Sequence, residues 1–278
     1  MKNIITITLI FFSVHIGIAQ NKAIQSEVVG NGKPLLFLPG FTTPGSIWKE
    51  TITHLKVKRE AHLISYAGFN GVKPIEMPWY ASIKKEVIAY IKENNINELE
   101  IIGHSMGGTL AADIAAELPT IVKKIILVDA LPCMRDVMMP GVPAESLQYE
   151  SPYNKRVLAM DEDQFKGMAT MMSTNMTNNT SKVETVTNWI LEADRKTYVY
   201  GYTDLLKLDL RAALSKVKAK AFILAAPSYG AVAKETMEKQ YANLADKNIE
   251  MVPNSKHFIM FDQPEWFYKK VNAFLTSE

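Results

Sequence analysis

Residues 99–116 constrain this chain more than any other stretch. The short β-branched run Leu99-Glu100-Ile101-Ile102 leads into Gly103-His104-Ser105-Met106-Gly107-Gly108, and an alanine-rich segment, Thr109-Leu110-Ala111-Ala112-Asp113-Ile114-Ala115-Ala116, follows at once. Read locally, this is a strand, a tight turn and a helix. So sharp a turn brings two backbones together, and the glycines remove the Cβ atoms that would collide. A serine at the apex projects its hydroxyl above the end of a sheet. A chance G-x-S-x-G in a loop has no such flanks, so the segment predicts an α/β fold with Ser105 as a nucleophile.

The rest of the chain is patterned to match. Strand-like and helix-like segments alternate from residue 27 to 130, which predicts a mostly parallel central sheet flanked by helices on both faces. The apolar run at 61–66 reads as a strand, and the stretch 82–93 reads as a helix with Ile83, Val87, Ile88 and Ile91 at helical spacing. Alternation fails from Leu131 to about Leu206, where Pro132, Pro140, Pro143 and Pro152 interrupt segments otherwise compatible with helix. This predicts an inserted helical lid over 131–206, with the core formed by 20–130 and 207–278. Alternation then resumes, and a closing helix is expected from Pro264 to Phe274, with proline in its first turn.

The first residues differ in kind. Lys2 precedes an almost wholly apolar run, 4–18, which ends Gly17-Ile18-Ala19 before Gln20. A positive start, an apolar run too short for a comfortable span and a small residue before a polar one read as a signal peptide over 1–19, cleaved after Ala19. A secreted or periplasmic protein with no stable membrane insertion after cleavage is expected. An uncleaved anchor and a buried first strand are the competing readings. The single cysteine, Cys133, allows no intrachain disulfide, so the fold must be held by its core. A hydrophobic fraction of 47% and a charged fraction of 22% are compatible with one. A net charge of +2 without clustered Lys/Arg stripes gives no footprint for nucleic acid.

With these residues in view, the chain resembles the α/β-hydrolases over about residues 27–278. Leu35-Leu36-Phe37-Leu38-Pro39-Gly40-Phe41 is similar to that family's oxyanion-loop strand, and Lys124-Ile125-Ile126-Leu127-Val128-Asp129 is similar to the strand after its nucleophile helix. Lys220-Ala221-Phe222-Ile223-Leu224-Ala225 looks like a further strand. Asn248-Ile249-Glu250-Met251-Val252-Pro253 precedes Asn254-Ser255-Lys256-His257-Phe258, where such enzymes carry their histidine. The resemblance implies a serine hydrolase in which His257 serves Ser105 as base, and the backbone N–H groups of Phe41 and Met106 form the oxyanion hole. The other histidines fit less well. His104 is locked beside the serine, His54 and His62 fall on expected surface segments, and His15 lies in the signal peptide.

The acid departs from the pattern. Most members place a carboxylate in the turn after the strand that here is 220–225, but this chain has Ala226-Pro227-Ser228-Tyr229-Gly230. Some members take it from the end of the preceding strand, which points to Asp129. Asp262 is expected to cap the closing helix. Without a working acid the protein would be a slow hydrolase or a lidded ligand-binding protein.

The expected lid holds Met134, Met138, Met139, Met160, Met168, Met171, Met172 and Met176, more than half of the chain's fourteen methionines. Unbranched thioethers either conform to an irregular apolar ligand or fill gaps in a loosely packed insert. Together they favour a small, largely apolar molecule as substrate. The expected reaction is cleavage of a carboxylic ester, or of a thioester, lactone or amide, through an acyl-enzyme. An acyltransferase or haloperoxidase-like protein using the same serine is the alternative. No metal or other cofactor is implied, since there is no ligand-spaced cluster and no G-x-G-x-x-G. Two glycosylation sequons, Asn175-Met176-Thr177 and Asn178-Asn179-Thr180, matter only in a host that glycosylates. Oligomeric state has no signature in the sequence.

Overall fold

The structure, a computed structural model, describes residues 22–227 and 234–277. The expected signal peptide over 1–19 and the stretch Ser228-Tyr229-Gly230 lie outside the described residues. Seven strands form one sheet: β1 (Ile24–Gly30), β2 (Lys33–Leu38), β3 (Arg59–Tyr66), β4 (Leu99–His104), β5 (Val122–Val128), β6 (Lys220–Ala225) and β7 (Lys247–Met251). Their order is β1-β3-β2-β4-β5-β6-β7. β1 runs antiparallel to β3, and the remaining pairs are parallel.

All six residues of β4 are buried, as a central strand covered on both faces requires. Successive residues serve opposite faces. Leu36, Leu38, Ile101, Ile125 and Leu127 join one core, and Leu35, Phe37, Ile102, Ile126 and Val128 join the other. The first core is covered by α2 (Trp79–Glu93) and α3 (Met106–Glu117), which follow the short α1 (Lys49–Thr53). The second is covered by the last helix, α11 (Pro264–Thr276), through Phe267, Val271 and Leu275 at four-residue spacing.

Between β5 and β6 the chain forms α4 (Met134–Met138), α5 (Pro152–Leu158), α6 (Glu162–Met176), α7 (Thr180–Leu191) and α8 (Arg195–Lys207). Local sequence explains several of their starts. Asp161 and Gln164 form a reciprocal capping box on α6, and the Asn179 and Asp194 side chains accept from Ser181 and Thr197 N–H at the starts of α7 and α8. The remaining helices are α9 (Lys234–Gln240) and α10 (Ile259–Asp262). Among the described residues no helix is long and apolar enough to cross a membrane.

The sheet order positions the site. From β2 the chain steps to β3 on one side and then to β4 on the other, so the connections leaving β2 and β4 diverge where Leu38 pairs with Gly103. Such a divergence opens a crevice beyond the strand ends. Pro39-Gly40-Phe41 and Ser105 emerge side by side there.

Candidate active site

Ser105 occupies the turn between β4 and α3 with φ 54° and ψ −125°. That left-handed region costs a residue bearing Cβ on the order of 1–3 kcal/mol and persists only where the surroundings enforce it. Here they do. Ser105 N–H donates to Val128 O at 2.8 Å, and its carbonyl accepts from Gly108 N at 2.9 Å and Thr109 N at 3.1 Å. The glycines prove obligatory: a Cβ at Gly103 would lie 2.2 Å from Gly107 O, and one at Gly107 would lie 2.2 Å from Leu38 O.

One residue past β5, Asp129 also has positive φ, 47°. Its N–H donates to Leu224 O at 2.7 Å, and its Oδ1 accepts from Ala226 N at 2.9 Å. Oδ2 lies 2.6 Å from His257 Nδ1, with the Asp129 and His257 side chains 13% and 14% exposed. An ionised carboxylate only accepts, so Nδ1 carries the proton and donates, which makes Nε2 the basic nitrogen of a neutral ring.

His104 stands against His257 with ring centroids 4.5 Å apart. Its Nε2 lies 2.9 Å from the His257 carbonyl oxygen and must donate to it, which leaves Nδ1 buried with no partner among the described residues. Burial holds its pKa well below the ordinary histidine value, and nearby His257 acts in the same direction against the bond to the His257 carbonyl. His104 is therefore a neutral prop under His257. His54 is exposed, as expected, but His62 is buried, with Nδ1 2.7 Å from Tyr90 Oη and Nε2 3.1 Å from Glu60 Oε1. The expectation of a surface histidine at 62 fails because β3 is covered there by α2.

The N–H groups of Phe41 and Met106 bond to no acceptor among the described residues. The Phe41 turn is held from below: Tyr66 Oη donates to Pro39 O at 3.2 Å, and Thr43 N–H donates to Gly40 O at 3.2 Å. The Phe41 ring packs edge-on to Phe69 and Trp79, with centroids 4.8 and 5.5 Å away.

Phe41, Ser105, Met106, Asp129 and His257 line one cavity of about 270 Å³ between the sheet end and the helical insert. Its insert-side wall is largely apolar, with Leu131, Val137, Val186 and Ile190, and also carries the polar Asn175. The insert's methionines divide. Met134, Met138, Met172 and Met176 line the cavity, Met160 and Met168 pack against the core, and Met171 is 62% exposed. Tyr198 and Tyr202 line it too, as does Met237 from α9. Sequence reading passed over all three, although the tyrosines' four-residue spacing on one helix face was available as a signal. Among the described residues no group of His, Cys, Asp and Glu is arranged to hold a metal ion.

Asp262 requires a correction. The residue capping α11 is Gln263, and the Asp262 carboxylate is engaged elsewhere. Oδ1 accepts from Thr177 Oγ1 at 2.6 Å, Asn178 N at 2.9 Å and Asn179 N at 3.2 Å, while Oδ2 accepts from Lys256 N at 2.7 Å. Phe258 N–H adds a bond to Met176 O at 3.0 Å. The α6–α7 turn and the loop carrying His257 are thus fastened together. The aspartate's position before Pro264 suggested a cap, and its partners about 85 residues away have no local signature.

The model of the alpha/beta hydrolase family matches residues 35–270. Among curated proteins, the pimeloyl-[acyl-carrier protein] methyl ester esterase of Legionella pneumophila is 32% identical over 123 residues, 44% of this chain and 48% of the relative. This chain thus spans about half the length of the first curated relatives it matches. The N-formylmaleamate deformylase of Pseudomonas putida is 20% identical over 251 residues, 88% of this chain and 90% of the relative. Among solved structures, an esterase from Exiguobacterium antarcticum superposes with a TM-score of 0.78 at 18% identity, covering 92% of this chain and 98% of that one. At that identity the likeness is one of fold.

Proposed function

Since the chain belongs to the alpha/beta hydrolase family, we propose that it is a serine hydrolase cleaving a carboxylic ester of a small, largely apolar molecule. A thioester, lactone or amide is open to the same chemistry. The observation that carries this reading is the 2.6 Å contact between Asp129 Oδ2 and His257 Nδ1 in the cavity that Ser105 lines. In the proposed reaction His257 Nε2 takes the Ser105 hydroxyl proton as Oγ attacks the carbonyl carbon. The resulting oxyanion is held by the Phe41 and Met106 N–H groups, each such donor contributing about 3 kcal/mol to lowering the barrier. Collapse expels the alcohol, which takes its proton from His257. Water, deprotonated by the same histidine, then releases the acid from the acyl-enzyme. Asp129 keeps the imidazole in the productive tautomer and stabilises the imidazolium.

Asp129 replaces the carboxylate missing from the turn after β6, which favours turnover over ligand binding alone. The names of the relatives, esterases and a deformylase, support hydrolysis at a carbonyl. The helical insert acts as the lid, and its apolar wall selects the substrate. Residues 1–19 are the proposed export signal, in which case the mature protein begins at Gln20.

Hydrolysis of short p-nitrophenyl esters tests the reading. Ser105→Ala should lose about 10⁶-fold in turnover, keeping only the residual rate that the oxyanion hole and substrate binding supply. Asp129→Asn should lose about 10⁴-fold in turnover, because its amide presents N–H to Nδ1 and favours the wrong tautomer. Near-wild-type turnover in Asp129→Asn refutes the acid, and retained turnover in folded Ser105→Ala refutes the mechanism.

A further inference from the structure

The cavity's largely hydrocarbon and thioether insert wall carries three polar side chains, Asn175 on α6 and the phenols Tyr198 and Tyr202 on α8. Tyr198 and Tyr202 stand one turn apart on α8, and both rings pack on Phe41, with centroids 5.8 and 5.7 Å away. Among the described residues their hydroxyls meet sulfur atoms: Met172 Sδ at 3.3 Å for Tyr198, and Met138 Sδ at 3.8 Å and Met134 Sδ at 3.9 Å for Tyr202. A thioether is a weak acceptor. The buried tyrosines away from the cavity are satisfied differently. Tyr66 donates to Pro39 O at 3.2 Å, Tyr80 to Asp113 Oδ2 at 3.1 Å and Tyr241 to Ala130 O at 2.9 Å. A phenol shielded from water ordinarily finds oxygen or nitrogen, and buried Tyr198 and half-buried Tyr202, whose hydroxyls meet sulfur instead, both face the ligand space.

Burial raises both phenols' pKa values, that of Tyr202 to about 12, so both remain donors at neutral pH. The cavity wall contains no lysine or arginine among the described residues. A carboxylate on the substrate would be buried without a counter-charge, which is costly.

We propose that Tyr198 and Tyr202 read an uncharged oxygen acceptor in the substrate. The preferred substrate is then a neutral ester with a second carbonyl in its acyl or alcohol chain, in place of a plain alkyl ester or one ending in a free carboxylate. This rests on the hydrolase reading above and narrows its substrate class.

The test compares kcat/KM for methyl hexanoate with methyl 4-oxohexanoate, methyl 5-oxohexanoate and monomethyl adipate, and for butyl acetate with 3-oxobutyl acetate. At least one oxo ester should exceed its plain partner about fivefold, the worth of one net hydrogen bond. Monomethyl adipate should fall below methyl hexanoate. In the Tyr198→Phe/Tyr202→Phe double variant the oxo-to-plain ratio should fall toward one. The proposal is overturned if no oxo ester is preferred, if the carboxylate ester is preferred, or if the ratio survives the double substitution. Calorimetric binding of the same esters to Ser105→Ala, with and without the two Phe substitutions, needs no turnover. Absence of hydrolysis by the unsubstituted protein would therefore defeat the hydrolase reading, while the binding ratio would still decide this one.

Discussion

Ser105 and Asp129 each lie one residue beyond a neighbouring strand, and both hold backbone angles that side chains with Cβ avoid. The strain is a positional requirement: each residue leaves its strand sharply enough to reach the same cavity. Ser105 was legible because glycines must surround such a turn. Asp129 was reached through the family resemblance, in which some members carry the acid at the end of the preceding strand, and its contact with His257 depends on a loop 128 residues further along the chain. His104 was legible only as a neighbour of the serine, while its burial and its bond to the His257 carbonyl belong to the folded state. It carries a pH signature. Its pKa is depressed in the folded protein, so below about 6.5 the unfolded chain takes up a proton that the folded chain refuses. Stability should therefore fall as pH drops below 6.5, by at most about 1.4 kcal/mol per pH unit for this one group. His62 adds the same sign, since burial lowers it against the opposing effect of Glu60. Urea unfolding at pH 7.5 to 5.5 should show a shallower slope in His104→Asn than in the unsubstituted protein. An unchanged slope would mean that His104 is not excluded from protonation.

Elements were legible where their pattern was local and hidden where it was not. The central strands announce themselves as apolar runs, and α3 follows from its alanines. β1 does not, because it is an edge strand whose Gln25, Ser26, Glu27 and Val28 are all exposed, leaving little apolar pattern to read. α2 begins at Trp79, three residues before the expected start. The reason is Asp204, whose Oδ2 accepts from Trp79 N at 2.7 Å and Tyr80 N at 3.2 Å, a cap supplied from 125 residues away. The Asp262 clamp is another such connection, and it makes the α6–α7 turn and the His257 loop one mechanical unit. Asp262→Ala removes the acceptor for four donors and should cost about 3 kcal/mol or more of stability, at roughly 1 kcal/mol per net bond. It should also lower kcat more than it raises KM, because freeing Lys256 N loosens the neighbouring histidine while leaving most of the cavity wall in place. Unfolding midpoints and steady-state kinetics within twofold of the unsubstituted protein would show that the clamp is idle.

At the scale of the whole molecule, the sheet order decides where chemistry is possible. Divergence of the connections from β2 and β4 opens one end of the sheet, and the helical insert between β5 and β6 covers that opening. Alternation of strand and helix signals made the layered fold readable from sequence. The content of the cavity was half readable, since methionine count cannot separate Met172, which lines the cavity, from Met171, which points to solvent. The central claim is that this architecture activates one serine. An alkyl fluorophosphonate followed by peptide mass mapping tests it most directly. The account predicts a single covalent adduct on Ser105, lost in Ser105→Ala and strongly slowed in Asp129→Asn. A folded protein that acquires no adduct, or acquires it on another residue, would contradict it.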